Sequence, residues 1–179
     1  MKKFDFIISL VLAAMFFEKD VYTIHFRTID DEERWMEEFR GKKIMIVILP
    51  VTQTARNTAF LRSIVKASEN YGDKISIIGV PSFEEGYRID ASNEVAYYHR
   101  MTMGRAITIV KGMYTKKASG NRQHSLFFWL THADQNGHFD GDATGIGEKF
   151  FINEKGELYG IVSAEREIDN DLMDHMVNN

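Results

Sequence analysis

The chain has 179 residues, 44% of them hydrophobic, enough for one domain with a core of its own. Its formal net charge is −4 and its basic residues are scattered, with Lys42-Lys43 and Lys116-Lys117 the densest runs; solubility of the surface accounts for both, and the balance argues against a nucleic-acid partner. There is no cysteine, which removes disulfides, thiolate metal sites and every mechanism that uses a thiol.

Met1-Lys2-Lys3 is a small basic start, followed by the apolar run from Phe6 to Phe17. That run is short for a bilayer span and fits the apolar segment of an export signal, with Leu12-Ala13-Ala14 as a small-residue cleavage site, although Asp5 is unusual so early. The expectation is a signal or hydrophobic segment over residues 1–17 and a single domain over 18–179, periplasmic or secreted, with no stable membrane span after processing. The alternative is a cytoplasmic protein with a buried or interfacial N-terminal helix, or an uncleaved anchor.

Val21 to Arg27 alternates like a half-exposed strand, and Ile29 to Glu32 reads as a turn. Glu33 to Arg40 reads as a short amphipathic helix with Trp35, Met36 and Phe39 turned inward and Gly41 stopping it. Lys43 to Leu49 is a nearly continuous apolar run, as expected of a strand covered on both faces. A loop, Pro50 to Thr54, precedes a helix with Phe60, Leu61, Ile64 and Val65 at helical spacing, and Lys74 to Val80 is a second apolar strand ended by Pro81. Strand, helix and strand make a right-handed unit with parallel strands, so the working loops should lie beyond the strands' carboxyl ends, at Pro50–Thr54 and Pro81–Gly86.

Further on, Ala91 to Met101 reads as a helix, Ala106 to Val110 as a short strand, and residues 111–121 as loop. His124 to Leu130 reads as an aromatic-rich helix and Ala133 to Gly147 as a long Asp- and Gly-rich loop. Lys149 to Asn153 and Glu157 to Ser163 make a hairpin through Glu154-Lys155-Gly156, and Arg166 to Val177 is a closing helix. A parallel half joined to an antiparallel half in this order is an α/β arrangement of thioredoxin type, a mixed sheet flanked by helices.

Four blocks, FRGKKIMIVILP (39–50), IIGVPSFEEG (77–86), QHSLFFWL (123–130) and EKFFINEKGELYG (148–160), taken in order and spacing, resemble the glutathione peroxidase family from about Val21 to Val177. The resemblance implies a thioredoxin fold and a cysteine or selenocysteine at the end of the first central strand, which attacks peroxide and becomes a sulfenic acid. By that resemblance the nucleophile's position falls on Gln53, with Thr52 or Thr54 as alternatives because the following helix is one residue longer than usual. The family's glutamine falls on Glu84, and its Trp-Asn pair on Gly145 and Ile146. All four positions are substituted, and the resolving cysteine of thioredoxin-dependent members is missing. The fold is implied, and the peroxidase chemistry is not.

Glu84 and Glu85 are the acidic groups left beside that site; general acid–base work would need one of them perturbed, and a solvated loop, or a Gln53–Glu84 hydrogen bond filling the vacated site, is the plainer reading. Asp134, Asn136, His138, Asp140 and Asp142 alternate like calcium ligands, but Phe139 stands where such a loop needs Gly and Gly145 where it needs Glu. His132, His138 and Asp140 are a weak zinc pattern; His124 and His175 read as capping or surface residues. Phe127-Phe128-Trp129 reads as core, with a partner surface as the alternative if one ring is exposed beside Tyr97 or Tyr98. No cofactor is implied. The expected function is binding or structural, toward an unidentified protein or small molecule. The rivals are a peroxide oxidoreductase working without cysteine and a metal-binding module in residues 134–142.

Overall fold

In a computed structural model that describes residues 20–178, the described part opens with one 3-10 turn, Val21–Thr23, where the alternation predicted strand. Asp20 starts that turn by accepting the Tyr22 N–H at 3.0 Å. Strand β1 (His25–Arg27) then pairs antiparallel with β2 (Glu33–Trp35). The helix predicted over Glu33–Arg40 is therefore a strand followed by a 3-10 turn, Met36–Phe39. Cross-strand pairing sets the face of each side chain by alternation. Trp35, predicted inward, lies 48% exposed against the His25 ring, whereas Met36 and Phe39 are buried.

The central elements lie where the apolar runs place them. Strand β3 (Lys43–Leu49) is buried throughout, helix α1 spans Ala55–Tyr71, and β4 (Ile75–Pro81) runs parallel to β3. Helix α2 (Ser92–Met103) leads to the two-residue strand β5 (Thr108–Ile109). A broken 3-10 segment, Lys117–Arg122, lies in the stretch predicted as loop. Helix α3 spans Ser125–Thr131, and the short helix α4 (Ala133–Asn136) opens what was predicted as uninterrupted loop. Strands β6 (Lys149–Ile152) and β7 (Leu158–Val162) form the antiparallel hairpin, whose turn needs Gly156 at φ +90°.

Helix α5 covers Asn170–Asn178, four residues short of its predicted start at Arg166. The reason is a cap: the Asp169 carboxylate accepts the Leu172 N–H at 2.8 Å, so the helix starts there, and Arg166 bridges Asp169 and Asp171 from outside.

The main sheet has the order β5-β4-β3-β6-β7, parallel across β5-β4-β3 and antiparallel across β3-β6-β7. Alternation along β3 explains its continuous apolarity: Ile44, Ile46 and Ile48 face Phe127, Trp129 and Leu130, while Met45, Val47 and Leu49 face α1 and α5 through Leu61, Ile64 and Met173. Covering both faces leaves little room for charge, yet two lysines are buried. Lys43, read as a surface residue, donates to the carbonyls of Met176 and Val177 at 3.2 and 3.0 Å, closing the end of α5. Lys149 donates to the carbonyls of Ser163 (2.9 Å) and Arg166; burial, then the nearby Arg166 charge, lower its pKa to about 8.

Candidate functional site at the carboxyl end of the sheet

Three loops meet beyond the carboxyl ends of β3 and β4. The first follows β3: Thr52, Gln53 and Thr54 are exposed, and the Thr54 hydroxyl caps α1 by accepting the Asn57 N–H at 3.1 Å. Asn57 closes the loop again by donating its amide to the Thr52 carbonyl at 2.7 Å. From behind, His99 of α2, wholly buried, bonds through Nε2 to the Pro50 carbonyl at 2.8 Å. Burial lowers its pKa, against the pull of that carbonyl.

The second loop follows β4, and Gly86 sits so close to the first that an added Cβ would lie 3.5 Å from Val51. The third leads into β6: the Gly147 N–H donates to the Ile48 carbonyl at 2.8 Å, and Gly145 takes φ +134°. A Cβ on Gly145 would come within 2.8 Å of a Glu85 carboxylate oxygen, so this position is closed to side chains while Glu85 holds its place. Glu85 is held by Lys116 at 2.9 Å. Ile146 is 37% exposed on the rim.

Glu84 does not face Gln53. Its carboxylate turns toward residues 115–119, where one oxygen accepts the Ser82 hydroxyl (2.8 Å) and the Thr115 N–H (3.0 Å). The other accepts the Ser119 hydroxyl (2.5 Å) and the Lys116 N–H (3.2 Å). Burial alone would raise its pKa, but the hydrogen bonds from Ser119, Thr115 and Ser82 outweigh it and hold Glu84 at about 2. A carboxylate that acidic is a poor proton acceptor near neutral pH, and the Ser82 hydroxyl beside it is wholly buried. The Gln53 carboxamide makes no hydrogen bond among the described residues, so the suggested Gln53–Glu84 bond is not formed. The site residues thus share one end of the sheet. Gly145 meets Glu85, while Glu84 and Gln53 face apart.

The Asp-rich loop is organised around a residue the ligand pattern did not single out. Asn136 is wholly buried; its amide donates to the carbonyls of Trp129 (2.8 Å) and Phe139 (3.0 Å), and its oxygen accepts the N–H groups of His138 and Phe139. Asp140 pairs with the Lys117 ammonium, and Asp142 accepts the Lys117 and Ala143 N–H groups, each at 2.8 Å. Among the described residues no group of three or more His, Asp or Glu side chains is arranged to hold a metal ion.

His124 caps α3, its ring nitrogen accepting the Leu126 N–H at 3.2 Å. Of the aromatic run, Phe127 and Trp129 are core and Phe128 is 38% exposed; Tyr98 is buried and Tyr97 is 69% exposed. Sequence reasoning missed His99 and the Ser82–Thr115–Ser119 cluster, and read Asn136 only as one of the alternating ligands. His99 is one of several polar residues along α2 and carries no pattern of its own, and Ser119 lies 35 residues from Glu84.

This geometry is shared with known folds. No protein-family model matches the sequence, and no curated protein matches it either. Among solved structures, the apo form of Trgpx superposes with a TM-score of 0.65 at 14% identity, over 89% of this chain and 94% of that one. T. cruzi GPX1 gives 0.63 at 10% identity, over 88% and 94%. A thioredoxin-family thiol:disulfide interchange protein from Chlorobium tepidum gives 0.60 at 18% identity, over 90% and 97%. The chain therefore has the thioredoxin-like α/β fold, with glutathione peroxidases among its structural neighbours, and it has that fold without a cysteine. Among the described residues no helix is long and apolar enough to cross a membrane; residues 1–17 lie outside that description.

Proposed function

We propose that this protein is a thioredoxin-fold binding protein of glutathione-peroxidase type that has given up thiol-peroxidase chemistry, and that residues 1–17 direct its export. The observation that carries the reading is the exposed β3–α1 loop in a chain with no cysteine; Gln53, where the resemblance puts the family's nucleophile, and its alternatives Thr52 and Thr54 all lie on that loop. A carboxamide neither ionises near neutral pH nor cycles through sulfenic acid. Substitution of Glu84, Gly145 and Ile146 at the other family positions supports the same conclusion, as does the commitment of Glu84 to a structural role.

The test is peroxide consumption with thioredoxin and glutathione as alternative reductants, comparing wild type with Gln53→Cys. Wild type is expected to be silent. The variant is expected to react with peroxide, because its thiol would stand at the amino end of α1, where the helix dipole favours thiolate. Catalytic turnover by wild type would overturn the reading. Export has its own check: the N-terminal sequence of protein recovered outside the cytoplasm is expected to begin after the Leu12-Ala13-Ala14 region.

A further inference from the structure

In the segment 115–122, which Glu84 and Asp142 hold in place, Lys117, Gly120 and Asn121 form one wall of an open-mouthed cavity of about 380 Å³. The floor is α3. Ser125, Phe128 and His132 follow one another at helical spacing on its outer face, while Leu126, Phe127, Trp129 and Leu130 are buried on the other. Phe128 is one of the few large apolar side chains left open, at 38%, and its ring stacks on His132 with centroids 4.1 Å apart. His132 thus covers one face of the Phe128 ring, and what remains open of Phe128 is the apolar part of the floor.

The polar groups around it can be assigned. The Thr131 hydroxyl donates to the Phe127 carbonyl at 2.6 Å, so it can only accept from the His132 Nδ1 at 3.0 Å. His132 Nδ1 also lies 2.9 Å from the Phe128 carbonyl, an acceptor only. Both contacts require the proton on Nδ1, which leaves Nε2 of the neutral ring as an acceptor. Gln123 uses both amide hydrogens, on the Thr115 carbonyl (3.0 Å) and the Thr131 hydroxyl (3.1 Å), leaving its oxygen as an acceptor too. The side chains of Asn121 and Ser125 have no partner among the described residues and can donate or accept. The one charged side chain lining the cavity, Lys117, is neutralised by Asp140.

An aromatic platform, two fixed acceptors, two groups that work either way and a balanced charge define a ligand. It has a C–H face to lie on Phe128, several hydroxyls to donate, and no net charge. From this we infer that the cavity binds a neutral sugar ring. Phosphorylated ligands are disfavoured, because the cation present already has its anion and the fixed groups ask for donors. The inference rests on the reading of the protein as a binding protein, and makes the segment anchored by Glu84 the part of the old site that acquired a use.

The test is a titration of the full-length protein with glucose, N-acetylglucosamine and maltotriose, with adenine as a planar comparison that carries no sugar, read by amide chemical shifts. At least one sugar is expected to shift resonances of residues 117–132 in the millimolar range, and adenine is expected to leave them in place. Phe128→Ala and Asn121→Ala, both at the surface and expected to keep the wild-type melting temperature, should each weaken binding by about tenfold or more. No response to any sugar at about 50 mM, a response equally strong in both variants, or a preference for adenine would overturn the inference. Such a failure leaves peroxide silence intact, whereas catalytic peroxide turnover by wild type would remove the premise.

Discussion

Replacing Glu84 with alanine is expected to lower the unfolding free energy by about 2–3 kcal/mol and the melting temperature by roughly 5–10 °C. The cost arises because one partly exposed carboxylate satisfies the hydroxyls of Ser82 and Ser119 and the backbone N–H groups of Thr115 and Lys116. Its removal leaves donors facing one another in a partly buried space. Glu84→Gln keeps the shape but brings two N–H hydrogens against donors, so it should recover only part of the loss. The pH dependence has a definite sign. The Glu84 pKa in the folded chain is about 2, below the ordinary 4.5 of the unfolded chain, so its contribution is complete above about pH 4.5 and is lost as the pH falls toward 2. Acid unfolding followed by circular dichroism should therefore show a steeper loss of stability in that window for wild type than for Glu84→Ala. Equal slopes would mean that the carboxylate is not held as described. If Glu84 were instead a catalytic acid or base, its replacement would leave stability nearly unchanged.

Asn136→Ala should be at least as damaging, at about 3 kcal/mol, because it orphans two carbonyls and two N–H groups around a wholly buried side chain. Asn136→Asp is the sharper test. At neutral pH it keeps the two accepted hydrogen bonds but sets a carboxylate against the carbonyls of Trp129 and Phe139, so it should be about as unstable as the alanine variant. Its folded-state pKa would be raised by that environment, so the aspartate variant should regain stability as the pH falls through that value, whereas the alanine variant should not. Chemical denaturation across a pH series reads both. Insensitivity of stability to either change would contradict the role of Asn136 as the hub of the loop. A loop organised by bound calcium would behave differently again, with its melting temperature rising on addition of the ion.

These two residues mark where sequence reading stops. Glu84 was visible as an acidic residue where the family resemblance puts a glutamine, but its direction was not, because its partners other than Ser82 lie in a segment more than thirty residues away whose path follows no periodicity. Asn136 was visible only as one of several alternating oxygen-bearing side chains, and alternation suggested ligands pointing inward together. In the folded chain a short helix and Gly137 at φ +74° break that alternation. Trp35 and Lys43 failed for a related reason: an amphipathic pattern and a charged pair were read by local rules, and long-range pairing with His25–Arg27 and with the end of α5 overrode them.

Much else was legible from local information. The nearly continuous apolar runs at Lys43–Leu49 and Lys74–Val80 specify the two central buried strands, and the Gly156 turn specifies the hairpin between β6 and β7. From these follow the parallel and antiparallel halves of the sheet, and the absence of cysteine excludes thiol chemistry outright. Each of those conclusions depends on residues adjacent in the chain or on composition alone. The separation of Glu84 from Gln53, the approach of Gly145 to Glu85, and the cavity between α3 and residues 117–123 depend instead on which side chains from distant segments satisfy one another. A buried donor or acceptor takes the partner that packing brings within about 3 Å, and no spacing along the chain encodes that distance.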